Sequence, residues 1–454
     1  MQTVGWREQQ LQPTKELYQK DWNNFGPQLG FAYNPGWLNS KLVIRGGGGM
    51  GYDRLPNALL ANARRNPPNG ARFGLCCGTD NEFGAPFLGG QIAYVASSDG
   101  TISGYPANPL LGGGTNPANG LPRSGAVEIY GAPQDLDTAY VFRYSLEGQY
   151  ELPANLVATV GYQGSQGRHF VRILPLHVMT TRNPNISQAF FASPDVNSNY
   201  NAMIARLQGR LGRQFSFDTN YRWSKSIDTS SFEAPCACTN QSFPVDQREE
   251  RGPSDFDVKH SYVASTTWDI PYFENPWGKQ LFGGWQISSI VTWNSGFPWT
   301  PKLFGCLDGN TTSSAGFCDP RPTSYNGAQP AENSNENFLR QGGIFGAAGT
   351  TIFGTAFNSS NPFQNRPAIG RNSLRGPRYF SLDMTFAKKI SLSGFINESS
   401  AVDLRFNFFN ILNTLNLAPF NSNSDPTRVQ LTQFGTATTG LSGRVGEFQI
   451  RFSF

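Results

Sequence analysis

The feature that most restricts what this chain can fold into is an alternation of period two, repeated along most of its length. At the C-terminus Phe448, Ile450, Phe452 and Phe454 alternate with Glu447, Gln449, Arg451 and Ser453. Val402, Leu404, Phe406 and Phe408 alternate with Asp403, Arg405 and Asn407, and Phe380, Leu382, Met384 and Phe386 with Ser381, Asp383 and Thr385. Upstream, Phe215, Phe217, Tyr221 and Trp223 oppose Ser216, Asp218, Asn220 and Arg222, while Tyr140, Phe142, Tyr144 and Leu146 oppose Arg143, Ser145 and Glu147. Successive side chains of a strand point to opposite faces, so this spacing describes strands with one oily and one ionic face.

Composition agrees with strands and disfavours helices. The 454 residues include 50 glycines and 31 prolines, which cost roughly 1 and 3 kcal/mol each in a helix interior. Mean hydropathy is −0.40, and no stretch approaches the roughly 18 apolar residues of a spanning helix. Crossing a membrane by helices is therefore excluded. Crossing by strands is compatible with low mean hydropathy, because lipid-facing and lumen-facing residues alternate. A net charge of +4 is too small for a nucleic-acid footprint, so no nucleic-acid partner is expected.

The pattern predicts eleven strands, at 27–34, 41–52, 138–151, 155–165, 201–211, 214–226, 259–270, 284–297, 378–390, 402–414 and 443–454. Their connections alternate in length. Asn34 to Ser40, Pro153-Ala154, Gly212-Arg213 and the segments around Asn275 and Asn397 are short; those from Asp53 to Asp137, Ser165 to Tyr200, Ile227 to Val258, Pro298 to Pro377 and Leu415 to Gly443 are long. Short turns at one rim and long loops at the other are the habit of an antiparallel transmembrane β-barrel, with the long loops extracellular. The strands are long enough to cross the hydrocarbon, which takes about 9 to 11 tilted residues. Trp223, Trp268, Trp285 and Trp293 fall near strand ends, where amphipathic rings suit the headgroup level. The expected fold class is all-β, in a Gram-negative outer membrane with its lipid as partner. A soluble core filled by the same aromatics would not place Asp, Arg, Glu and Lys so regularly on the opposite face.

Candidate chemistry is sparse. Cys76, Cys77, Cys236, Cys238, Cys306 and Cys318 lie in Gly/Pro/Asn/Ser-rich segments, and only Cys236-Ala-Cys238 makes a tight pair, short of a zinc ligand set. Loop disulfides are the expectation, with Cys306 to Cys318 the leading candidate, which implies an oxidising compartment. His169, His177 and His260 form no zinc-protease spacing, and Ser165 in GSQG is not a hydrolase elbow. The run from Gly46 to Gly51 satisfies G-x-G-x-x-G, but Pro56 follows where a dinucleotide site needs a helix. Those glycines are read as strand residues that allow another backbone or a plug to approach closely. Asp246-Gln-Arg-Glu-Glu-Arg251 is expected to be a solvated charge cluster, with a ligand or polysaccharide contact as its functional alternative. Asp255 and Asp257 are weighed as a calcium pair at a loop base. No enzyme, cofactor or metal is expected.

Eight stretches then carry a resemblance: DWNNFGPQLGFAYNP at 21, KLVIRGGGGMGYDRL at 41, YSLEGQYELPANLVATVGYQGSQGRH at 144, SNYNAMIARLQGRLGRQFSFDTNYRWSKSID at 198, DFDVKHSYVASTTWDIPY at 255, GGWQISSIVTWNSGFPWTP at 283, GRNSLRGPRYFSLDMTFAKK at 370 and LRFNFFNILNTLN at 404. In this order they resemble the C-terminal part of a TonB-dependent receptor of the Oar-like group. The resemblance implies a barrel of about 22 strands, of which this chain would supply roughly half. It also implies a signal peptide, an N-terminal domain and a plug, none of which this sequence resembles, so the chain is expected to be a fragment of a longer protein.

By the same resemblance the function is energised uptake of an extracellular solute, with the TonB complex acting through a plug not present in this chain. The alternating C-terminal strand resembles the signal presented to the barrel-assembly machinery, carried by Phe448, Ile450, Phe452 and Phe454. The expected lumen lining is Arg143, Glu147, Asp218, Arg222, Asp403 and Arg405. The alternative is a structural or adhesive barrel whose loops bind surface polymers without active transport.

Overall fold

A computed structural model describes residues 2–5, 10–13, 16, 18–55, 63, 66, 127–175, 186–231, 242–243, 246–270, 283–303, 320–356, 365–392, 400–420 and 425–453. Eleven strands form one continuous antiparallel ladder in chain order. They are β1 (Gln28–Tyr33), β2 (Leu42–Tyr52), β3 (Tyr140–Leu152), β4 (Leu156–Pro175), β5 (Ile186–Leu211) and β6 (Phe215–Asp228), then β7 (His260–Asp269), β8 (Trp285–Asn294), β9 (Tyr379–Ser391), β10 (Ala401–Phe409) and β11 (Val445–Ser453). Each strand pairs with its neighbours in sequence, and among the described residues β1 and β11 do not pair with each other. The sheet is all-β and antiparallel, as the alternation predicts.

The three described turns at one rim pass through left-handed backbone, which Asn39, Asn155 and Gly212 adopt readily. Asn39 and Ser40 have φ of 53° and 59°, Ala154 and Asn155 of 65° and 57°, and Gly212 of 64°. Such conformations match the twist of the strands that a tight turn joins.

Two strands are much longer than the alternation predicts. The stretch from Ser165 to Tyr200, expected as a long loop, instead extends β4 and β5 to 20 and 26 residues. The short strand Val127–Gly131 runs parallel to the start of β5. Val171, Ile173, Phe190 and Ala192 are buried there with Tyr130, Ala132 and Leu136. Covering both faces of these extensions removes the need for alternation, so period two fades although the strands continue. At the other end of the error, β10 stops at Phe409 rather than running to 414. Asn410 adopts φ 50° and its side chain closes on Thr414, accepting from the amide and donating to the carbonyl, both at 2.9 Å.

A second packed unit lies at the long-loop rim. Trp299, Leu303, Phe338, Ile344, Phe353, Leu417 and Phe434, among others, form a buried cluster drawn from the β8–β9 and β10–β11 connections. The first core thus draws half of its residues from the extensions of β4 and β5, whereas the second is built from the connections.

Candidate functional site

Antiparallel partners share a face, so the register sorts every strand residue to one side of the sheet. Glu147 pairs with Gly161, Gly161 with Ile204, Ile204 with Arg222, and Arg222 with Ser261. Continuing the ladder, Asp218 pairs with Ser265, Ser265 with Ile290, and Ile290 with Asp383. Asp403 stands between Lys389 and Arg451, and Arg405 between Ala387 and Gln449. With the two-residue period along each strand, Arg143, Glu147, Asp218, Arg222, Asp403 and Arg405 all fall on one polar face. The opposite face carries two aromatic bands. Tyr221, Tyr262, Trp293 and Phe380 form one cross-strand row, and Phe215 with Trp268, then Phe386, Phe406 and Phe448, lie in another.

Phe448, Ile450 and Phe452 belong to the aromatic face and are about half exposed; Phe454 lies outside the described residues, as do Cys306, Cys318 and the other four cysteines. Several polar groups on the aromatic face find partners there. The Thr266 and Ser289 hydroxyls bond each other at 2.7 Å, and the Lys388 ammonium lies 5.2 Å from the ring centroid of Trp285 opposite it.

On the polar face, carboxylates are matched by arginines that the alternation alone did not single out. Arg206 grips Asp218 with both Nε, at 2.9 Å, and Nη2. Arg45 approaches Glu147 at 3.5 Å and donates to Gln149 at 2.9 Å. Arg222 keeps a buried Nε without an acceptor. Arg143 borders a cleft of about 1020 Å³ together with Gln28, Gly47, Gly49, Ser165 and Tyr200. The glycine run of β2 therefore lies inside a strand, and its members from Gly47 to Gly51 line this cleft. A second cleft of about 410 Å³ lies nearer the short-turn rim, beside Gln208, Asp218 and Thr267.

At the long-loop rim the loops fold inward over the polar face. Ser224 donates to the Val258 carbonyl at 2.7 Å, the Ser226 amide to Asp257 at 2.6 Å, and the Ser226 and Ser254 hydroxyls lie 2.8 Å apart. Arg371, from the β8–β9 connection, binds the Asp228 carboxylate and donates to the carbonyls of Asp228 and Glu250, each at 2.8 Å. Arg375 binds Asp257, and Asn372 binds Asp255 and the Pro253 carbonyl. Arg321 meets Glu250 at 2.9 Å, both side chains nearly inaccessible. Burial pushes the Arg321 pKa down, and the Glu250 charge works against that shift.

These contacts correct the expectation of a solvated cluster at 246–251. Only part of the run is exposed: Glu250 is fully buried, while Asp246 caps the short helix Gln247–Glu250 by accepting from the Arg248 amide. The Arg248 side chain holds the Asp246 carboxyl below its ordinary pKa. Nothing in the sequence around Arg321 or Arg371 signals burial, because their partners Glu250 and Asp228 lie 71 and 143 residues away. Asp255 and Asp257 are engaged by Asn372, Arg371 and Arg375, and among the described residues no group of acidic, His or Cys side chains could hold a metal ion.

Comparison with known proteins follows this geometry. No curated protein matches the sequence. Among solved structures, the outer membrane transporter YddB from Escherichia coli is similar at 9% identity and a TM-score of 0.45, over 92% of this chain and 38% of that one. A variant of the ferric enterobactin receptor PfeA from Pseudomonas aeruginosa is similar at 10% identity and 0.45, over 94% and 40%. The siderophore receptor PiuA from Acinetobacter baumannii is similar at 10% and 0.38, over 93% and 35%. The chain thus spans two fifths or less of the length of these three structures. A family model described as the outer membrane beta barrel domain matches residues 2–451, and the chain belongs to that family.

Proposed function

We propose that this outer-membrane chain is part of the wall of a TonB-dependent receptor that takes up an extracellular solute. Family membership supplies the membrane and the barrel; the eight ordered stretches beginning at Asp21 and ending near Asn416 supply the receptor resemblance. The observation that carries the reading is the cap. A pore or inert wall has no use for loops fastened inward across its polar face by buried ion pairs, whereas a receptor needs an ordered mouth that discriminates among solutes.

In this reading the ladder is one part of a larger closed barrel, because an unpaired strand edge in lipid costs several kcal/mol per group. Arg143, Glu147, Asp218, Arg222, Asp403 and Arg405 act as electrostatic lining of the lumen, and Cys306 and Cys318 join in a loop disulfide. A plug supplied outside this sequence meets the TonB complex, and the C-terminal Phe448, Ile450, Phe452 and Phe454 address the barrel-assembly machinery.

The test is solute depletion from the medium by cells expressing the complete gene, compared with cells lacking it, with and without an uncoupler. Gene-dependent depletion that the uncoupler abolishes supports uptake. A barrel that reaches the outer membrane yet changes only cell adhesion would favour the adhesive alternative.

A further inference from the structure

A pocket of about 230 Å³ lies on the aromatic side of the sheet, at the long-loop rim. Asn199 and Ile227, which line it, are register partners, as are Asn201 and Lys225 one step below. By alternation all four share the face of Tyr221 and Trp223. The pocket is roofed by the short helix Gln247–Glu250 and by Arg251.

Its height follows from strand geometry. β6 has 14 residues, which at about 3.4 Å each and a tilt of about 40° rise roughly 35 Å. The apolar band of an outer-membrane barrel is about 25 Å tall. With Phe215 at the lower aromatic band, the end of β6 therefore lies in the headgroup layer above the hydrocarbon. Trp223, four residues before Ile227, is half exposed on the same face, as expected for a ring at that boundary.

Among the described residues the charge there is uncompensated and positive. Asp228 is taken by Arg371, Asp246 by Arg248 and Glu249 by Arg366. Arg168 donates to the carbonyls of Gly167 and Ser198 at 2.8 and 3.1 Å and comes within 3.5 Å of the Asn199 amide oxygen. Its bonds involve no carboxylate. Lys225 and Arg251 have no ion-pair partner among the described residues. The Gln247 side-chain nitrogen, at the pocket wall, is a buried donor with no acceptor. Three cations and a donor lacking an acceptor, beside amide side chains at headgroup height, match a phosphate monoester presented by a lipid.

We infer that this pocket binds the phosphorylated headgroup of an outer-leaflet lipid, held by Arg251 and Gln247, which line it, with Lys225 one register step below and Arg168 beside Asn199 at its edge. The site is distinct from the solute path, because it opens on the opposite face of the sheet. It depends on the outer-membrane setting and on the long loops being extracellular, and not on TonB-dependent uptake.

The experiment uses the complete protein in phosphatidylcholine nanodiscs containing either phosphatidic acid or diacylglycerol with the same acyl chains, with retained lipids counted by native mass spectrometry. Phosphatidic acid is expected to be retained about tenfold more than diacylglycerol. Lys225→Gln and Arg251→Gln should each lower that retention about fivefold, whereas Lys388→Gln at the other rim should leave this component in place. Arg251→Gln alone, in an exposed loop, carries the test if Lys225→Gln does not fold. Equal retention of the two lipids, retention unchanged in Arg251→Gln, or displacement of phosphatidic acid by millimolar inorganic phosphate would each overturn the assignment, the last by making it a free-phosphate site.

Discussion

Arg321 and Glu250 face each other at 2.9 Å with side chains exposed by only 2% and 0%. Glu250 also accepts from the amides of Ser242 and Phe243 through the same oxygen, at 2.9 and 2.5 Å. Arg321 reaches further, to the carbonyls of Glu249 and Ile369 at 2.8 and 3.1 Å. One ion pair thus ties the β6–β7 connection to the β8–β9 connection and closes the cap over the polar face.

Removing one partner of this pair strands the other charge in a dry interior. Arg321→Ala is expected to destabilise the cap by about 3–5 kcal/mol, and Glu250→Ala by a similar amount. Replacing both together should cost less than the sum, because no charge is left unpaired. Protease sensitivity of the loops on intact cells reads the cap; the unfolding temperature of the barrel in detergent should move much less. Equal sensitivity of wild type and Arg321→Ala would refute the latch.

Asp218 and Arg206 make the contrasting case. The pair is bidentate, but its side chains are 39% and 44% exposed, so water screens it. A double-mutant cycle with Asp218→Asn and Arg206→Gln is expected to give a coupling of only about 0.2–1 kcal/mol. A coupling of several kcal/mol would mean that this stretch of the polar face is drier than its exposure indicates.

At Gly164 the space above the Cα is filled by a neighbour. A Cβ there would lie 2.5 Å from the Tyr144 ring, and Tyr144 and Tyr162 both donate to the Asn201 side-chain oxygen, at 3.2 and 2.6 Å. Gly164→Ala must displace the ring and break the Tyr144 bond, so a loss of about 1–3 kcal/mol is expected. Gly51→Ala, where nothing stands within 4 Å of the added carbon, is the control. Comparing the unfolding midpoints of the two variants in detergent checks this, and equal midpoints would contradict it.

How much of this was legible in the sequence depends on how local each signal is. Alternation within a strand is local, and it located the ladder strands to within a few residues except where burial on both faces erased it, in β4 beyond Ser165 and in β5 before Tyr200. It also overran the end of β10, where Asn410 turns the chain short of residue 414. The polar face was legible for the same reason, since a two-residue period assigns Asp218 and Arg222 to one side without knowledge of their partners. The partners were not legible. Arg206 sits twelve residues from Asp218, on the next strand, so pairing them requires the register. Arg371 and Asp228 are separated by 143 residues, and nothing in either neighbourhood announces the other. The cap is built from such long-range contacts, so the local sequence signals neither its arginines nor the burial of Glu250.

The assignment of faces makes its sharpest prediction at two adjacent residues. Val291 pairs with Ala264 and Leu382 on the aromatic face, while Thr292 pairs with Val263 and Ser381 on the polar one. The two differ by a single step along β8, so local propensity and depth are nearly the same. Val291→Arg sends a guanidinium toward lipid near the middle of the apolar band and is expected to cost about 2–4 kcal/mol. Thr292→Arg sends it toward the wet face, where it can stay hydrated, and should cost less than about 1 kcal/mol. Unfolding titrations of both variants in lipid vesicles give the comparison directly. If the costs came out reversed, the register would be displaced by one residue and every face assigned here would exchange with its opposite.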